Sequence, residues 1–133
     1  MAYSANQLFS ETAGRGSGLR AFPETVQPKT FASGSGTLAA LTPVTYNTST
    51  NKWTTFTNGG ANGTGTILGF VWPDAIVLDA ANDVIGNVLL EGKINFNDIP
   101  QTGAGYTLAQ LKAAVQSQMR PLGIIIEGLD SVR

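Results

Sequence analysis

Val44-Thr45-Tyr46-Asn47-Thr48-Ser49-Thr50-Asn51-Lys52-Trp53-Thr54-Thr55-Phe56-Thr57 is the stretch that decides the fold class. Two runs rich in β-branched and aromatic residues flank a polar cluster, Asn47 to Asn51. Such side chains suit the pleated, half-buried surface of a sheet, while Asn, Ser and Thr favour turns. The stretch therefore predicts a strand, a turn and a strand, with Leu38 and Leu41 leading in.

Downstream, the same grammar continues. A Gly-rich loop, Asn58 to Gly65, leads into Thr66-Ile67-Leu68-Gly69-Phe70-Val71-Trp72, a further strand. Pro73-Asp74 breaks it, and Ala75-Ile76-Val77-Leu78-Asp79 resumes. Asp83 to Phe96 reads as one or two strands around Gly86 and Gly92. One helix is predicted. Thr107 and Gln110 make a capping-box pattern, and Leu108, Leu111, Val115 and Met119 recur at helical spacing. Arg120 suits the helix's negative end and Pro121 is expected to stop it. The final run, Gly123-Ile124-Ile125-Ile126-Glu127-Gly128-Leu129, is a strand with both faces apolar. That pattern places Ile124, Ile125 and Ile126 inside a sheet or at a subunit contact.

Upstream, residues 1–36 differ. Five glycines, Pro23 and Pro28 interrupt every period, which predicts a flexible arm ahead of a β-rich domain spanning 37–133. Leu8, Phe9, Leu19, Phe22, Val26 and Phe31 are spread along the arm, so it is expected to order on a partner surface. Deleting it should leave a folded domain. The fold class expected is mainly β: a small sandwich or barrel-like domain with one C-terminal helix and an extended N-terminal arm.

The chain is 133 residues long, enough for one domain with its own core. It has no Cys and no His, which excludes disulfides, thiolate metal sites, the commonest general base and the commonest zinc ligand. Only 13% of residues are charged and the net charge is −1, so no field steers the protein to nucleic acid or an anionic membrane. Mean hydropathy is +0.05, and low charge with mild hydrophobicity suits a chain that hides surface in an assembly. Met1 to Phe9 lacks a signal-peptide pattern, and the longest apolar stretch, Ile67 to Leu78, is too short to span a bilayer. Synthesis and residence in a cytoplasm are expected.

Sites of chemistry are scarce. Gly60-Ala61-Asn62-Gly63-Thr64-Gly65 has the glycines of a phosphate loop, but no helix and no Lys-Ser or Lys-Thr pair follows, so a hairpin loop is the better reading. Asp79, Asn82 and Asp83 fail the calcium-loop spacing, since Ala81 and Val84 stand where a ligand and a glycine are needed. A turn is expected there. Nine scattered carboxylates include no recognisable catalytic setting, so no enzyme, cofactor or metal is expected. Trp53 and Trp72 read first as packing residues and second as sugar-stacking platforms.

Leu41-Thr42-Pro43-Val44-Thr45-Tyr46-Asn47-Thr48-Ser49-Thr50-Asn51-Lys52-Trp53 resembles the head decoration protein family of lambda-like phages. That family shows a Leu-Thr-Pro start, an apolar strand, an Asp/Asn-Thr-Ser turn, then a Lys and an apolar strand. The Gly-Ala loop from Gly59 to Gly65, running into Ile67-Leu68-Gly69, also matches, as does the order of later elements through Glu91-Gly92-Lys93-Ile94-Asn95-Phe96. The resemblance covers roughly residues 36–129; the ending from Arg120 departs from the family's pattern, and the arm is longer. It implies a mainly β fold and a homotrimer on the outer surface of an expanded capsid, at three-fold and quasi-three-fold positions. The implied partner is the major capsid protein, contacted by an arm in which Phe9, Arg15, Arg20, Phe22 and Phe31 are the expected contacts. Neither nucleic acid nor membrane is an expected partner. The other readings are a carbohydrate- or receptor-binding β-module of a phage fibre or tail, and a small hydrolase with a carboxylate pair.

Overall fold

The structure, a computed structural model, describes residues 21–101, 103 and 105–127, with the side chains of 21–24, 120 and 121 outside that description. The expected strand-turn-strand is a hairpin of β3 (Pro43–Asn47) and β4 (Lys52–Thr55), antiparallel with Tyr46 opposite Trp53. Its turn is closed by the Asn47 side chain, which accepts from the backbone N–H groups of Ser49 and Thr50, and by Asn51 at φ 60°. Asn tolerates that left-handed geometry better than most residues.

The sheet grows on both sides of the hairpin. β1 (Ala21–Phe31) lies beside β4, and β5 (Gly69–Val71) lies beside β3. β5 pairs with β7 (Val84–Asn95), and β7 pairs antiparallel with β1 along ten positions from Ala21–Ile94 to Phe31–Val84. The pairings β1–β4–β3–β5–β7–β1 thus close on themselves, and a closed ring leaves few free edges. A sixth strand, β8 (Ile124–Glu127), runs parallel to the second half of β7, and a two-residue ribbon of β2 (Thr37–Leu38) and β6 (Ile76–Val77) lies apart. The molecule is mainly β, with one α-helix, α1 (Leu108–Leu122), and a short 3-10 turn at Phe96–Asp98.

Side chains alternate across the sheet and split the core in two. On β5, Phe70 joins a cluster with Leu89, Ile94, Phe96, Leu111, Val115 and Met119, covered by α1. Its neighbour Val71 joins Phe31, Val44, Ile76 and Val88 on the other side, where Leu38 and Leu78 pack from the ribbon. The capping box forms as expected: Thr107 N–H donates to Gln110 Oε1 at 3.0 Å and Gln110 N–H donates to Thr107 Oγ1 at 3.3 Å.

Two expectations need correction. The domain boundary does not fall at residue 36, because β1 pairs with β7 along ten positions and Phe31 is 1% exposed in the core. The alternation was hidden there by Pro23 and Pro28 and by a register shift between Pro23 and Val26. Until Phe31, β1 has a neighbour on one side only, and an edge strand tolerates proline on its open side. Second, α1 runs past Pro121 to Leu122 and ends at Gly123 in the left-handed conformation, φ 81°. The stretch read as one or two strands forms the single strand β7, with Gly92 (φ 147°) facing the irregular part of β1. On β8, Ile124 is 1% exposed and Ile125 57% exposed, so only one face is covered within the chain.

Candidate functional site

Of the five expected capsid contacts, Phe9, Arg15 and Arg20 lie outside the described residues, as does the Phe22 side chain, although the Phe22 backbone pairs with Lys93 in the ring. Phe31 is spent on the core and is unavailable to a partner. Of the three expected trimer contacts, Ile124 packs inward and Ile126 is half-buried against the α1-side cluster. Ile125 is left facing outward, opposite Lys93, which pairs with Glu127 at 3.6 Å. It is an apolar side chain on the last strand of the sheet order.

A second exposed apolar position was not singled out from the sequence. Val77 on β6 and Ile85 on β7 are 69% and 74% exposed. They flank a shallow groove of about 200 Å³ lined by Asp74, Ala75, Ile76, Val77, Ile85, Gly86 and Asn87. Local structure explains it. Ile76 is buried and packs directly over Gly86, where a Cβ would collide with its side chain. With Ile76 facing in, strand alternation turns Val77 out. The signal was present in the adjacent β-branched pairs Ile76-Val77 and Val84-Ile85, which put one apolar side chain on each face.

The polar features are structural. Lys52 Nζ meets Asp83 Oδ2 at 2.8 Å, and that hydrogen bond holds the Asp83 carboxyl below its usual value. The backbone N–H groups of Ala81 and Asn82 lower Asp79 in the same way, which is the geometry of a strand-connecting turn. Asp98 Oδ2 is buried with no hydrogen-bond partner among the described residues. Among those residues no three of His, Cys, Asp and Glu gather into a metal-holding group. No helix of the described residues is long and apolar enough to cross a membrane. Trp53 is engaged on several sides: Phe31 and Tyr46 pack at ring-centre distances of 6.4 and 6.3 Å, and Lys29 Nζ sits 5.6 Å over the ring. Trp72 packs against the α1-side cluster.

The Gly-rich loop is bound to the hairpin. Thr48 donates from its N–H and Oγ1 to Asn62 O at 2.9 and 3.1 Å, and Thr45 Oγ1 donates to Gly63 O at 3.1 Å. Farther along, Leu68 N–H donates to Val44 O at 3.0 Å. Comparison with protein-family models, with curated proteins and with solved structures gives no match.

Proposed function

We propose that this protein is a virion structural protein: a capsid decoration protein that binds the outer surface of an expanded tailed-phage head as a trimer and stabilises it against the pressure of packaged DNA. One observation carries the reading. The two sequence blocks that resemble the lambda-like family, Leu41 to Trp53 and Gly59 to Gly69, are a single hydrogen-bonded unit, joined through Thr45, Thr48 and Leu68. A chance likeness in the order of residues would not require the two blocks to support one another in space.

The physics of such a cement is multivalent. A contact that is weak alone gains on the order of 100-fold to 10,000-fold in avidity when three copies are tied into one trimer. Of the three isoleucines on β8, Ile125 is the one left exposed for a contact between copies. The protein needs no catalysis, cofactor or metal for this role. The sugar-binding reading has less support, because stacking needs an open ring face and the two Trp rings are engaged by neighbours.

The test is to add the protein to expanded, undecorated heads of its own phage and image them. Trimeric density at three-fold and quasi-three-fold positions is expected, with heads that resist rupture better. Density at a tail or fibre, or none on the shell, would reject the reading.

A further inference from the structure

The Gly-rich loop carries two Asn-Gly pairs, Asn58-Gly59 and Asn62-Gly63, that no role above uses. Asparagine is a thermolabile residue. A glycine after it removes the obstacle to reaction, because no Cβ shields the glycine nitrogen. That nitrogen attacks the asparagine Cγ. The N–Cγ bond forms, the Cγ–Nδ2 bond breaks, and ammonia leaves with the proton of the glycine N–H. Water then opens the five-membered imide at either carbonyl, giving aspartate or isoaspartate. No oxidant, metal or enzyme is required.

The loop sets the two pairs in matching turns. Gly60 N–H donates to Thr57 O at 2.9 Å and Thr64 N–H donates to Ala61 O at 3.1 Å, so each asparagine is second and each glycine third in a four-residue turn. Gly59 and Gly63 have φ of 71° and 87°, and both asparagines are exposed. Turn geometry and exposure therefore do not separate the pairs. Hydrogen bonding does. Asn62 O accepts from Thr48 N–H at 2.9 Å and from Thr48 Oγ1 at 3.1 Å. Closing the imide turns the peptide plane between Asn62 and Gly63, which swings that oxygen away from both donors. At the other pair, Asn58 O, the Asn58 side chain and Gly59 N–H make no hydrogen bond among the described residues. A Cβ built on Gly59 would meet nothing within 4 Å. The middle peptide of that turn rotates without breaking a bond of its own.

We infer that Asn58 is a self-modification site of the folded protein, converting to aspartate and isoaspartate while the hairpin protects Asn62. One neutral amide becomes one carboxylate, so the net charge goes from −1 to −2. In the isoaspartate product the main chain gains a methylene next to Asn58 N–H, which donates to Gly105 O at 2.8 Å and ties the loop to the chain entering α1. The product records the age of a molecule and loosens that tie. This holds whether or not the protein decorates a capsid.

The experiment ages the full chain in warm, mildly alkaline buffer and locates the products by fragment mass spectrometry, with a protein-isoaspartate methyltransferase to count isoaspartate. A net hydrogen bond is worth about a factor of five, so the two on Asn62 O should leave conversion at Asn58 roughly 10- to 30-fold faster. In guanidinium the two sites should convert at similar rates. Thr48→Val removes one of the two donors and should raise conversion at Asn62 about fivefold without changing Asn58. Equal conversion at both sites of the folded protein, or faster conversion at Asn62, would overturn the inference. So would an unchanged Asn62 rate in the Thr48 variant, or an intact Asn58 in folded protein after several half-lives of the denatured chain.

Discussion

Gly69 has no room for a side chain: a Cβ there would lie 2.5 Å from Val88 Cγ1 and 2.8 Å from Leu89 O. The second contact is backbone in the middle of β7 and cannot rotate away. Gly69→Ala should therefore lower stability by about 1–3 kcal/mol, read as an earlier urea midpoint at unchanged slope. Tyr106 carries a pH-dependent contribution. It is 7% exposed, its hydroxyl donates to Pro100 O at 2.8 Å, and burial pushes its phenol up to about 12. The unfolded chain ionises the phenol near pH 10, so the folded state is favoured fully below about 10 and loses that advantage as pH rises to about 12. Tyr106→Phe should cost about 1 kcal/mol at neutral pH through the lost hydrogen bond. The gap between the two proteins should narrow in urea titrations at about pH 11.

At the scale of elements, α1 is held at both its start and its side. Its start is the Thr107–Gln110 box, and its side is Gln118, whose Oε1 accepts from Ile67 N–H at 2.8 Å while its Nε2 donates to Gly65 O at 3.4 Å. Gln118→Leu leaves Ile67 N–H without that acceptor and should cost about 1–3 kcal/mol. Thr107→Ala loses only a cap on an exposed end and should cost about 1 kcal/mol. A Gln118 cost below the Thr107 cost would show that water replaces the lost acceptor. The helix and the hairpin were legible because their signals are local: spacing, a cap and a turn cluster. β1 was not, because its partner β7 is about 60 residues away and its prolines and register shift erase the period of two. β8 was half legible. Its composition marks a strand, but only tertiary packing decides that Ile124 faces the core and Ile125 faces out. The groove was missed for the same reason: an apolar pair on a strand looks identical whether its second face is covered or bare.

At the scale of the whole molecule, ring closure depends on β1, and that changes how the arm must be tested. Deleting residues 1–20 leaves every described strand in place, so the barrel should stay folded. Deleting residues 1–36 removes ten paired positions along β7 and the fully buried Phe31. Losing one buried Phe side chain alone costs about 3–5 kcal/mol, and a domain's whole stability is only about 5–15 kcal/mol. The longer deletion should therefore show no cooperative thermal transition, whereas the shorter one should melt near the full chain. A cooperative melt by the 1–36 deletion would show that the remaining strands close without β1. The distinction governs the capsid experiment. Lost binding by the longer deletion would report unfolding and would be mistaken for loss of a tether. If the protein decorates a capsid as proposed, the shorter deletion isolates the tether: it should bind expanded heads far more weakly than the full chain, because a trimer would lose three contacts together. Undiminished binding by the folded 1–20 deletion would put the shell contact on the barrel itself. Introducing a charge at Ile125 would then be the next discriminating variant, since Ile125→Asp places a carboxylate beside Glu127 on the outward face of the last strand. Such a variant should fall apart into monomers if β8 joins the copies, and should stay trimeric if another face does.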